Sequence, residues 1–203
     1  MILCLDLSYR PGSLALEEFA YPIAAIVRKA GKEAKIVHYT ELGAGLPPGT
    51  DAVILCGTAI RDTGYLDNPE LFCWLPEASV PVLGICAGMQ VISTVHGGET
   101  EAGCEIGMTE IEVIRPDPLF VEKDRFQAYE IHTLACMPPP GFVTLAVSGT
   151  CVQAIRHPKK AVYGVMFHPE VRNEWVVERF LPVSYTHLRA HETVLDLVCR
   201  LLL

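Results

Sequence analysis

The chain has no hydrophobic run long enough to cross a bilayer. Its first residues, Met1-Ile2-Leu3-Cys4-Leu5-Asp6, have no basic residue ahead of an apolar stretch that an aspartate soon ends. Neither a membrane span nor a secretory leader is expected, and the protein reads as cytoplasmic. Positive charge is also scarce: 16 Lys and Arg face 24 Asp and Glu over 203 residues, a formal net charge of −8. Without a surplus of cations to neutralise phosphates, nucleic acid is not expected as a partner. The eight cysteines, at 4, 56, 73, 86, 104, 136, 151 and 199, include no C-x-x-C pair. Several lie in apolar runs, which suits reduced thiols better than a disulfide framework. No glycine-rich phosphate loop of the form G-x-x-x-x-G-K-S or G-x-x-x-x-G-K-T occurs, so no nucleotide or other cofactor is expected.

The most informative stretch runs from Pro81 to Ile92. Val82, Leu83 and Ile85 read as a buried parallel strand, whereas Ala87, Met89, Val91, Ile92 and Val95 carry apolar side chains at helical intervals. Between them, Gly84-Ile85-Cys86-Ala87-Gly88 forms a G-x-C-x-G elbow, the thiol counterpart of the strand-to-helix turn that lifts a nucleophile from the edge of a sheet. At such a helix amino terminus the dipole favours a thiolate, and the first free N–H groups can hold a developing oxyanion. The chemistry this suits is acyl transfer.

Around the elbow, Ile2–Leu5, Ala34–Tyr39 and Asp51–Cys56 read as strands, and Leu16–Ala30 and Leu66–Leu75 as helices, with Pro22 as a kink or late start. This rhythm predicts an α/β protein with a flavodoxin-like open, mostly parallel sheet and helices on both faces. After His96-Gly97-Gly98 come shorter alternating runs: Glu110–Ile114, Arg125–Ile131, Phe142–Val147, Cys151–Arg156 and Ala161–Phe167. They predict a small antiparallel extension at the sheet edge. No linker divides residues 1–181, which are expected to form one domain.

The last of these runs leads into Phe167-His168-Pro169-Glu170-Val171. A thiol nucleophile needs a base to take its proton, and that imidazole needs an acceptor to fix its tautomer. His168 and Glu170, two residues apart at a strand end, would point the same way.

Together, G-I-C-A-G-M-Q and G-V-M-F-H-P-E-V resemble the class I glutamine amidotransferases. Asp117-Pro118-Leu119-Phe120, Ile131-His132, Pro139-Pro140-Gly141-Phe142 and Leu145-Ala146 fall where that family carries comparable signposts. The combination H-P-E-V with G-M-Q is most similar to the branch that serves GMP synthase. The resemblance implies that Cys86 attacks glutamine to form a γ-glutamyl thioester, with His168 shuttling the proton and Glu170 orienting it. It further implies an oxyanion held by the N–H groups of Ala87 and of Gly57 or Thr58, and substrate contacts from Gln90 and His132. The ammonia released would pass to an ATP-dependent synthetase subunit, because the chain has no room for such a domain. Low glutaminase activity is therefore expected of the chain alone. Three features depart from the family pattern: Gly57-Thr58-Ala59 in place of Gly-Gly-Pro, Met166 in place of Gln, and the segment Ser8–Leu14.

Residues 182–203 continue past the family's usual end, and from Tyr185 they resemble the translated read-through of a sequencing adaptor. They are expected to be non-native. His187 and His191 have helical metal-ligand spacing but no third ligand, so no metal site is expected. Two other readings share these motifs: a stand-alone γ-glutamyl amide hydrolase and a non-catalytic binding or regulatory module.

Overall fold

In the computed structural model, described for residues 1–43 and 45–181, the chain begins by alternating strand and helix. Strand β1 (Ile2–Asp6) leads through a wide π-helical turn, Leu16–Ala20, into α1 (Tyr21–Lys29) and β2 (Ala34–His38). Pro22 sits in the first turn of α1, where its missing N–H leaves no bond unmade, and the preceding wide turn absorbs the misfit. Next come β3 (Ala52–Leu55), β4 (Val82–Ile85) and α2 (Ala87–Val95). Every residue of β1, β3 and β4 is buried, as a strand covered on both faces requires.

The second half is built from β5 (Thr100–Val113), β6 (Arg125–Cys136), β7 (Val143–Val147), β8 (Val152–Arg156) and β9 (Val162–Val165). A short α3 (Pro169–Arg172) follows, and after a break at Asn173 a further helix runs over 175–181. All nine strands share one sheet in the order β2-β1-β3-β4-β9-β8-β7-β5-β6. The members from β2 to β9 are parallel, and the remainder are antiparallel. The flavodoxin-like α/β expectation holds, with α1 packed along β1 and β2, and α2 along β3, β4 and β9.

Three local expectations are corrected. Leu66–Leu75 is not a helix but a single 3-10 turn, Pro69–Phe72, because Pro69 has no N–H to continue a helix begun at Leu66 and Pro76 disfavours helical backbone at Leu75. The antiparallel extension is larger than expected: β5 starts at Thr100, in a stretch where Gly103 and Gly107 interrupt the apolar–polar alternation of a strand, and it pairs with β6 across a bulge between Ala102 and Glu105. The expected strand Ala161–Phe167 does not belong to the extension, since its core, β9, completes the parallel set beside β4. The reading of residues 182–203 falls outside the described residues, as do His187 and His191. Among the described residues the seven cysteines are all unpaired, and no helix is long and apolar enough to cross a membrane.

The register of the parallel strands positions the chemistry. Leu55 pairs with Gly84, and Gly84 pairs with Gly164, so β3, β4 and β9 end level with one another. Gly57, Cys86 and His168, distant in sequence, therefore emerge at one carboxyl edge.

Candidate active site

Cys86 is held at the elbow by two backbone bonds. Its N–H donates to the Val165 carbonyl of β9 at 2.8 Å, and its carbonyl accepts from the Gln90 N–H at 3.1 Å in the first turn of α2. Between these bonds its backbone takes φ 49° and ψ −103°, a left-handed conformation that costs a non-glycine residue roughly 1–3 kcal/mol. The flanking glycines make the turn possible. A Cβ on Gly84 would run into the Gly88 carbonyl, and one on Gly88 into the Leu55 carbonyl. Sequence reasoning located the elbow, and the packing explains why both glycines are needed.

His168 and Glu170 do meet, although not on a strand end as expected. β9 stops at Val165, His168 is the residue preceding α3, and Glu170 lies in the first turn of that helix. The His168 N–H donates to the Tyr129 carbonyl of β6 at 2.9 Å, and its Nδ1 lies 2.7 Å from Glu170 Oε1. Phe19 packs against the imidazole with ring centroids 5.3 Å apart, and Gly57 packs so closely that a Cβ there would lie 2.6 Å from His168 Cε1. Glycine at 57 thus makes room for the imidazole. Both charged side chains are almost wholly buried. Nε2, opposite the Glu170 bond, is left to Cys86, the other polar side chain that interacts with the imidazole.

Burial disfavours charge on His168, yet its neighbours Cys86 and Glu170 together hold its pKa well above the ordinary 6.5. A raised folded-state pKa means that protonation favours the native state. This contribution is complete below pH 6.5 and is lost as pH rises through the folded value. The stability difference between wild type and His168→Gln, read from urea midpoints, is therefore expected to be largest below pH 6.5 and to shrink as pH rises. A difference that grew with pH would mean that the folded imidazole is neutral.

Beside Cys86 opens a narrow cleft, with an internal volume of about 20 Å³, bounded by Thr58–Ile60, Tyr65, Ala87, Gln90 and the β6 segment 131–134. Its loop wall is pinned by Asp62, which accepts from Thr58 Oγ1 at 2.9 Å and from the Tyr9 N–H at 3.2 Å. Gln90, expected as a substrate contact, is buried: its Oε1 accepts from the Tyr65 hydroxyl at 2.5 Å, and its Nε2 donates to the Leu134 carbonyl at 3.1 Å. It ties the loop, α2 and β6 into one wall. His132 also borders the cleft, but its Nδ1 lies 3.0 Å from the Gly103 carbonyl and its Nε2 faces Glu105 and Glu130. Asp62 and Tyr65 were missed by sequence reasoning, since neither lies in a recognisable motif.

The class of protein is now defined. The class I glutamine amidotransferase family model matches residues 15–180, and the chain belongs to that family. The glutamine-hydrolysing GMP synthase subunit of Pyrococcus furiosus is 35% identical over 163 residues, covering 76% of this chain and 85% of that protein. The corresponding GMP synthase subunit of Archaeoglobus fulgidus is 36% identical over 163 residues, covering 76% of this chain and 84% of that protein. Among solved structures, a glutamine amidotransferase from Thermotoga maritima shares the fold with a TM-score of 0.66 at 20% identity, covering 94% of this chain and 84% of that one.

Proposed function

We propose that this chain hydrolyses L-glutamine through a Cys86 thioester and delivers the ammonia to an ATP-dependent synthetase, in the manner of a GMP synthase glutaminase subunit. The observation that carries the reading is the 2.7 Å bond between His168 Nδ1 and Glu170, with Cys86 as the imidazole's other interacting polar side chain. That orientation leaves Nε2 for the thiol proton. The family and the archaeal relatives, named as glutamine-hydrolysing, support the choice of substrate.

Cys86 Sγ attacks the side-chain carbonyl of glutamine, and its proton resides on His168 Nε2. As the tetrahedral intermediate collapses, that proton goes to the leaving nitrogen and ammonia departs. Water, deprotonated by the same imidazole, then attacks the thioester, releasing glutamate and restoring the thiol. The oxyanion is assigned to the Ala87 N–H, at the first residue of α2, and to an N–H of the Gly57-Thr58 turn. Gln90 and segment 131–134 shape the glutamine subsite. The His132 ring is committed to Gly103 and the glutamates, so its contribution to the substrate comes through the backbone. Residues 1–181 are assigned as the catalytic domain, and the reduced thiols fit a cytoplasmic setting.

The partner follows from ammonia chemistry. Ammonium, which dominates at neutral pH, has no lone pair for attack, so a docked acceptor with a sheltered passage serves better than release into water. Glutamate formation is expected to be low for the chain alone and to rise at least ~10-fold with a GMP synthetase subunit, its nucleotide and ATP, because such sites are completed on closure. Equal rates with and without the partner would favour a stand-alone γ-glutamyl amide hydrolase. No hydrolysis under either condition would overturn the glutaminase reading.

A further inference from the structure

Glu105, Glu130, His132 and Cys151 converge beside the cleft wall, drawn from β5, β6 and the turn before β8. Only His132 was singled out in the sequence. Glu105, His132 and Cys151 place their ligand atoms within 4.8 Å of one another. His132 Nε2 lies 3.4 Å from Glu105 Oε2 and 3.4 Å from Glu130 Oε2, and Cys151 Sγ lies 3.2 Å from Glu105 Oε2. Two nitrogen or oxygen ligands about 2.1 Å from a tetrahedral zinc ion stand about 3.4 Å apart, and a sulfur ligand adds about 0.2 Å. Glu105, His132 and Cys151 already hold spacings close to those of a coordination shell, and Glu130 stands 3.4 Å from the imidazole.

A second observation points to a ligand. Glu130 is completely buried, and among the described residues its carboxylate finds no partner nearer than His132 Nε2 at 3.4 Å. His132 Nε2 in turn faces the two carboxylates, each at that same long distance. Buried carboxylates left in this way call for a cation. The surroundings also resemble those of a metal-bound histidine: Nδ1 can donate to the Gly103 carbonyl at 3.0 Å, which presents the Nε2 lone pair inward. Glu105 Oε2 is steadied by Gln153 Nε2 at 2.6 Å, and its other oxygen by the Thr150 hydroxyl. Cys151 is partly exposed next to the exposed Thr150, which gives an ion a way in.

We propose that Glu105, Glu130, His132 and Cys151 form a binding site for a divalent transition-metal ion of the zinc class, distinct from the Cys86 centre. The donor set is one imidazole, one thiolate and two carboxylates, which suits zinc far better than magnesium or calcium. Two carboxylates and a thiolate sum to −3, and a divalent ion brings the cluster to −1, which is easier to bury. Bound there, the ion would fasten β5 and the turn before β8 to β6, the strand whose Tyr129 carbonyl holds the His168 backbone.

The test is a cobalt titration of the full chain, stripped of metal and kept reduced. One equivalent of Co²⁺ is expected to produce the intense visible bands of tetrahedral cobalt together with a near-ultraviolet thiolate charge-transfer band, and one equivalent of Zn²⁺ should abolish both. In Cys151→Ser the charge-transfer band should vanish, whereas in Cys86→Ser it should persist. Glu130→Gln is expected to weaken binding by 10-fold or more. Circular dichroism checks that each variant is folded, and the wild-type titration stands without any variant. No tetrahedral spectrum in wild type at micromolar protein and metal would overturn the proposal, leaving a proton on His132 to neutralise the cluster. A charge-transfer band that survives in Cys151→Ser, or disappears in Cys86→Ser, would overturn it as well.

Discussion

Alanine at position 86 is expected to lower glutamate release by at least ~10⁴-fold, in the presence or absence of a synthetase partner, because Cys86 is the one cysteine among the described residues that line the cleft. The fold should survive, since the elbow is held by backbone bonds from Cys86 to Val165 and Gln90 and not by the thiol. Glycine at the same position separates strain from chemistry. The backbone at 86 has φ 49°, so Cys86→Gly should be as inactive as Cys86→Ala but more stable by about 1 kcal/mol. Urea midpoints of the two variants measure that difference. Equal stabilities would mean that the elbow relaxes once the thiol is gone, and activity retained in either variant would remove Cys86 from the mechanism.

The second large effect belongs to Gly88. A Cβ at this position would strike the carbonyl, Cβ and carbonyl carbon of Leu55 on β3, all parts of a strand that has no freedom to move. Gly88→Ala is expected to cost more than ~4 kcal/mol, enough to remove most soluble protein from an expression culture. Gly164→Ala is the informative contrast. There the nearest neighbours are Met89 Cγ at 2.7 Å and Ile155 Cγ1 at 3.1 Å, both side-chain atoms, one of them on a flexible chain. Its cost should be about 1–3 kcal/mol, and the variant should stay folded. Comparable losses from the two substitutions would show that α2 shifts away from β3 as easily as Met89 changes rotamer.

How much could be read beforehand differs from element to element. The elbow was legible because strand, glycines, cysteine and helix are contiguous, so local rules apply without knowledge of the fold. The pairing of His168 with Glu170 was legible for the same reason, although the short helix after β9, and not a strand end, makes it. What local rules could not supply was the neighbour relation of β4 and β9, which brings His168 to the same sheet edge as Cys86, since their pairing spans the whole antiparallel excursion. β5 was underestimated because Gly103 and Gly107 break its alternation, and Leu66–Leu75 was misread because apolar spacing outweighed the brake of Pro76. Gln90 and His132, expected as substrate contacts, line the cleft, but their side chains satisfy Tyr65, Leu134 and Gly103, and partners of that kind depend on packing alone. The meeting of Glu105, Glu130 and Cys151 with His132 depends on strand register, for which no short motif exists.

The place of β9 in the sheet bears on synthesis at the ribosome. The strand is added between β4 and β8 only after every other strand has been made, and both His168 and Glu170 follow it. A growing chain therefore exposes the elbow cysteine well before His168 is made, and closing the gap requires one of the longest-range pairings in the molecule, a slow kind of folding step. Chains released before β9 would keep Cys86 but lack His168 and Glu170, so under the proposed mechanism the capacity to split glutamine would arise only in polypeptides that extend past Glu170.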